Sequence, residues 1–192
     1  RPGDAVVMTK AAAVEGTAIL CTDFRGVLLE KGVPEGVLER GAAFLRRVSV
    51  VREALALAEA GLATSMHDPT EGGLLGGLAE VAFASRRTIE VWEERVPVAE
   101  ETAVVTKALG LDPLRLISSG VLLATVPPDR VGEALRALEG AGAPASVIGR
   151  VAEFSGSYVV LHRRGGGVER LEDPYVRDEL NAAWERWGGR LR

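Results

Sequence analysis

The stretch ATSMHDPTEGGLLGGLAEVA at residues 63–82 constrains the fold more than any other part of the chain. Ala63–Met66 reads as a short strand. It runs straight into His67-Asp68-Pro69-Thr70 and the pair Gly72-Gly73. Leu74, Leu75, Leu78, Val81 and Ala82 then recur at helical spacing and form one apolar face. Glycines at a helix start mean that the backbone needs unusual angles there, or that something comes very close to it. For the second pair, Gly76-Gly77, close packing of the helix against a strand is the expected reason.

A glycine-preceded helix N-terminus is a natural anion site, because its unpaired N–H groups and the helix dipole both favour negative charge. Thr70 adds a hydroxyl donor, and His67 a donor whose charge can switch with its surroundings. Asp68 would repel a phosphate unless it caps the turn or binds a Mg²⁺ ion that bridges to the phosphate. The bland alternative is a tight strand-to-helix turn with no ligand. No P-loop is present, since the Lys-Ser/Thr ending is missing, and the spacing is not that of a dinucleotide fingerprint.

Elsewhere strand and helix patterns are mixed. Ala5–Thr9, Ile89–Val98, Leu116–Val126, Val147–Val151 and Tyr158–His162 read as strands. Glu15–Cys21, Pro34–Val48, Ser49–Gly61, Glu100–Leu109 and the segment from Pro127-Pro128 to Gly140 read as helices. Arg163–Gly167 is a glycine-rich turn. Asp173-Pro174 supplies an N-cap and an N1 proline for a last helix, with Val176, Leu180, Trp184 and Trp187 as its stripe. This order predicts an α+β fold, a layered α/β/α sandwich around a mixed sheet.

Composition narrows the function classes. The 192 residues, 47% apolar and 26% charged, suit one globular domain with its own core. A net charge of -4 without basic clusters argues against nucleic acid. The single cysteine, Cys21, rules out an intrachain disulfide and a cysteine zinc site, and points to a reducing compartment. No apolar run approaches the roughly 18 residues of a membrane span, and no signal peptide is evident, so the expected location is the cytoplasm. Gln is absent, Asn181 is the only Asn, and Lys occurs only at 10, 31 and 107. That scarcity fits a thermophile, although a GC-rich genome would also favour Arg over Lys. The chain starts at Arg1 without a methionine and enters a strand at once, as a piece of a longer protein would.

Taken in order, several motifs resemble one family. They are Arg1-Pro2-Gly3-Asp4 with VVMTK, Glu15-Gly16-Thr17-Ala18-Ile19-Leu20, His67–Leu74, LGLDPL at 109–114, ISSGVLLATVP at 117–127 and VIGRV at 147–151. Together they resemble the C-terminal domain of the aminoimidazole ribonucleotide synthetase superfamily, and within it the hydrogenase maturation factor E branch. The resemblance implies that residues 1–171 are this domain and that 172–192 form a helix packed on it or on a dimer partner. It implies an N-terminal domain, absent from this chain, that supplies most ligands to ATP and Mg²⁺. It also implies a homodimer and ATP-dependent phosphoryl transfer onto an amide or carbonyl oxygen of a small-molecule or protein-borne substrate. Asp68, Thr70, Gly72 and Gly73 would face phosphate, with Asp68 also a metal ligand. Lys10, Glu15, Thr17, His67, Ser118 and Ser119 would lie at the cleft.

Two features depart from the branch. Ser118-Ser119-Gly120 stands where factor E proteins resemble each other in Asn-Glu-Gly, and the sequence ends Trp187-Gly188-Gly189-Arg190-Leu191-Arg192 without their terminal cysteine. The resemblance therefore implies a related paralogue rather than a working cyanide-ligand maturase, or a degenerate module that binds nucleotide or a partner without turnover. Read from residue type alone, Lys10 is a solvated strand-end lysine or a cleft residue, and Glu15 a helix-start acid. Ser118 and Ser119 need hydrogen-bond partners if buried.

Overall fold

The structure, a computed structural model, describes residues 1–190; the last two positions of the segment expected to be helical at 172–192 lie outside the described residues. Seven strands form one mixed sheet: β1 (Ala5–Thr9), β2 (Ser65–His67), β3 (Thr88–Trp92), β4 (Leu123–Val126), β5 (Ala145–Ala152), β6 (Val159–His162) and β7 (Val168–Leu171). Their order is β2-β4-β1-β5-β3-β6-β7, antiparallel throughout except for the parallel β3–β6 pair. Among the described residues eight α-helices surround it: α1 (Val14–Asp23), α2 (Arg25–Glu30), α3 (Glu35–Ala42), α4 (Val51–Glu59), α5 (Gly73–Ser85), α6 (Glu100–Leu109), α7 (Val131–Gly140) and α8 (Glu179–Trp187). The fold is α+β, as the mixed pattern predicts.

The strand period of two sorts the core. Val6 and Met8 of β1 face α5, whose Leu74, Leu75 and Leu78 are fully buried against Ile89, Val91 and Ile148. Val7, between them, faces the opposite layer, where Leu57 of α4 and Ala134 and Leu138 of α7 cover β1 and β4. Burying each such leucine contributes about 2 kcal/mol. A separate cluster joins α1, α2, α3, α6 and α8 around Leu20, Phe24, Leu28 and Leu38. Cys21 lies inside it, where burial pushes its thiol up to about 11, so it is a core residue. On the α4/α7 side, no helix among the described residues packs over the sheet beyond β5. Its Arg150–Glu90 ion pair and the stacked rings of Trp92 and His162 line a hollow of about 640 Å³.

Three sequence expectations change. The strand expected over Leu116–Val126 is only Leu123–Val126, because residues 116–120 are drawn away to meet two helix starts. The last helix starts at Glu179 and its N-cap is Asp178, whose side chain accepts the Leu180 N–H. Asp173 instead closes a local turn by accepting the Tyr175 N–H at 2.8 Å. Accordingly Val176 packs under α5, while Leu180, Ala183 and Trp187 pack with the helical cluster. Finally, β7 completes a hairpin with β6, closed by the Arg163 N–H to the Gly167 carbonyl, beyond the glycine-rich turn.

Candidate functional site

Two strand-to-helix turns, β1 to α1 and β2 to α5, meet at Ser118. This serine is fully buried. Its Oγ accepts the Ala13 N–H at 2.9 Å and donates to the Leu116 carbonyl at 3.0 Å, and its own N–H donates to the Thr70 carbonyl at 3.2 Å. One residue thus ties both turns together, and since its carbonyl accepts the Val121 N–H at 3.1 Å, all of its hydrogen-bonding groups are engaged by the fold. Neighbouring carbonyls close the start of α1: Ser119 takes the Glu15 N–H at 3.3 Å and Ile117 the Gly16 N–H at 3.1 Å. A Cβ on Gly16 would overlap the Leu116 side chain, so glycine lets this loop lie across the helix start.

The first turn holds its polar side chains in place. Lys10 Nζ donates to the carbonyls of Arg47 (3.0 Å), Ser49 (2.7 Å) and Gly120 (2.8 Å) and pairs with Glu53 at 2.6 Å. Both side chains are almost fully buried, so the lysine is an internal tie between the end of β1, α4 and the Gly120 loop. Thr17 is buried and shares a 2.7 Å hydrogen bond with Thr102, which fastens α1 to α6 rather than opening to a cleft. Glu15 is half-buried, and among the described residues its Oε2 is buried without a hydrogen-bond partner. Ser119 is half-buried beside it along the backbone.

The second turn is closed from behind but polar in front. Gly72 has φ +76°, and a Cβ there would lie 2.6 Å from the Val176 carbonyl oxygen. Gly73 has φ +67°, and its Cβ would lie 2.7 Å from the Leu116 carbonyl oxygen. Both glycines are therefore demanded by the chain's own backbone, which revises the close approach of a phosphate as the reason for them. The Gly72 N–H donates to Asp178 Oδ2 at 2.7 Å, the Gly73 N–H to the Thr70 carbonyl at 3.1 Å and the Leu75 N–H to the Leu114 carbonyl at 3.0 Å. The second pair, expected to pack on a strand, packs on the turn: a Cβ on Gly77 would lie 2.5 Å from Pro69 Cβ, and one on Gly76 2.8 Å from the Glu71 carbonyl oxygen.

What remains at the front is a rim of exposed side chains: Asp68, Thr70 and Glu71. Among the described residues neither the Asp68 carboxylate nor the Thr70 hydroxyl has a side-chain hydrogen bond. His67 lies within 2.7 Å of Glu80 on the exposed face. Asp68 and His67 also border a hollow of about 330 Å³ walled by Val51, Leu55 and Met66. Among the described residues no group of three or more His, Cys, Asp or Glu side chains gathers as a metal cage.

Sequence reasoning missed Asp178, Glu53 and Thr102. Asp178 is buried; desolvation raises its pKa above the ordinary aspartate value, opposed by the N–H groups of Leu180, Gly72 and Ile117. The available signal was an Asp directly before ELNAAW, a good N-cap position overshadowed by Asp173-Pro174. Glu53 shares a helix face with the buried Leu57 at i, i+4, which hinted that it points inward.

Comparison with known proteins places the chain. The family described as "AIR synthase related protein, C-terminal domain" matches residues 1–162. The chain belongs to this family. A carbamoyl dehydratase HypE of Rhizobium leguminosarum bv. viciae is 30% identical over 178 residues, 87% of this chain and 46% of that protein. The crystal structure of E. coli HypE superposes with a TM-score of 0.72 at 25% identity, covering 89% of this chain and 50% of HypE. HypE crystallised in complex with ATP superposes at 0.66 with 28% identity, again over 89% of this chain and 50% of the other. The chain therefore spans about half the length of the relatives it matches, and the fold is that of their corresponding half. Among the described residues no helix is long and apolar enough to cross a membrane.

Proposed function

We propose that this chain is the phosphate-facing half of an ATP-dependent enzyme of the HypE kind, which activates an amide or carbonyl oxygen of its substrate by phosphoryl transfer. The observation that carries the reading is the exposed rim Asp68-Pro69-Thr70-Glu71, held on a backbone buried on its inner side, in a family member whose relative was crystallised with ATP. Mg²⁺ would neutralise charge on the transferring phosphoryl group, which is what such chemistry needs most. Asp68 would contribute one carboxylate to that ion. The Thr70 hydroxyl would donate to a phosphate oxygen, and Gly72 and Gly73 would shape the loop. The remaining ligands would come from the N-terminal half of such proteins, and the whole protein would act as a homodimer.

A second reading is a binding module without turnover. It draws support from Ser118, whose hydroxyl is engaged within the fold where the resemblance expects a polar group of the cleft. Titrating Mg-ATP into the full-length protein, followed by an ATPase assay across amide substrates, separates the two. Thr70→Ala and Asp68→Asn alter exposed side chains, and each is expected to weaken Mg-ATP binding by about tenfold or more. Unchanged binding in both variants would refute the phosphate-facing rim, while binding without turnover would favour the module.

A further inference from the structure

The start of α5 is buried beneath a segment of chain that lies beyond residue 162, outside the family match. That segment touches the start of α5, or the loop at Arg115 beside it, in three ways. The Val176 carbonyl lies where a side chain on residue 72 would have to be, the Glu179 N–H donates to the Arg115 carbonyl at 3.1 Å, and Asp178 presents its carboxylate to the loop. Asp178 Oδ2 accepts the Gly72 N–H and Oδ1 the Leu180 N–H, both at 2.7 Å. With 5% of its surface exposed, Asp178 receives backbone donors from two separate segments, the DPTEGG loop and α8.

We infer that Asp178 is a positioning residue: its carboxylate is a built-in anion that fills the anion-binding place at the glycine pair, fixes the DPTEGG loop, and closes the start of α5 to free phosphate. A helix N-terminus attracts an anion through its unpaired N–H groups and dipole, and here the chain supplies that anion itself. Asp178 and the exposed Glu71 and Asp68 surround the loop with negative charge. A bare phosphate is repelled by this arrangement, whereas a metal-bound polyphosphate is accepted. The acidic rim thus agrees with the Mg-ATP of the proposed function. This last step rests on the proposed function; the ordering of the loop does not.

The test uses backbone amide signals of Gly72, Gly73 and Ile117 in wild type, Asp178→Ala and Asp178→Asn. Both variants are expected to exchange the Gly72 amide proton about tenfold faster or more, relative to core amides of β1. Sodium formate should restore slow exchange and the wild-type Gly72 shift in Asp178→Ala, because the emptied place accepts a small carboxylate, and should leave wild type unmoved. Inorganic phosphate should likewise shift Gly72 only in that variant. Trp187→Ala loosens α8 while keeping the carboxylate, and serves as the packing control. If Asp178→Ala does not fold, Asp178→Asn alone decides through its Gly72 exchange and shift. Unchanged Gly72 exchange, an equal effect from Trp187→Ala, or no response of Asp178→Ala to formate would each overturn the positioning role. Formate rescue without Mg-ATP binding at residues 68–71 would retain that role and sink the phosphate-facing reading instead.

Discussion

The two strand-to-helix turns that meet at Ser118 start alike and end differently. In both, backbone carbonyls or buried side chains take several of the N–H groups at a helix start that is largely buried. In the β1–α1 turn, Lys10 and Thr17 are also engaged within the fold, by three carbonyls, Glu53 and Thr102. In the β2–α5 turn, Pro69, Gly72 and Gly73 are buried while Asp68, Thr70 and Glu71 stand exposed. The difference teaches that polar residue type alone does not mark a site. A charged group with every partner inside the fold is a structural tie, and a loop rigid on one side and polar on the other is where a ligand fits.

Breaking the first turn should have the largest effect on stability. Lys10→Met leaves Glu53 buried without its cation and should cost about 3–5 kcal/mol in denaturant unfolding, while Lys10→Met combined with Glu53→Leu should recover much of that loss. A Lys10→Met variant as stable as wild type would mean that the buried pair is not a tie. Gly73→Ala comes next. A left-handed backbone and a Cβ 2.7 Å from the Leu116 carbonyl oxygen should cost about 1–3 kcal/mol, read in the same way.

Much of this contrast could not be read from the chain. The sheet, the long helices and the DPTEGG turn were legible because period-two and period-3.6 patterns are local, and the turn announces itself by Pro and Gly. The family resemblance also proved right, the family model matching residues 1–162. The hydrophobic run 116–126 hid a loop, because the pull on residues 116–120 comes from two helix starts distant in sequence. The reason for Gly72 was equally hidden: the Val176 carbonyl that occupies its side-chain space arrives from over a hundred residues away. Lys10 read as solvated or cleft-lining because its partners at 47, 49, 53 and 120 form no sequence motif.

Acidity sharpens the comparison with a smaller effect. Burial raises the Asp178 pKa in the folded state, so the folded protein binds that proton more tightly than the unfolded chain does. Asp178 thus contributes stability that is fully present below the ordinary aspartate pKa and is lost as pH rises through the raised value. The stability of wild type minus that of Asp178→Asn should therefore increase as the solution is acidified from neutral into the carboxylate range. A difference that stays flat, measured by urea unfolding at each pH, would contradict the buried carboxylate. The smallest stability effect belongs to Thr70→Ala, within about 0.5 kcal/mol of wild type because the residue is exposed.

The most direct test of the contrast is an amide-resolved titration of the full-length protein with Mg-ATP. The account predicts shifts concentrated at Asp68, Thr70 and Glu71, with Lys10 and Ala13 to Gly16 unmoved. Shifts confined to the β1–α1 turn, with residues 68–71 silent, would contradict it.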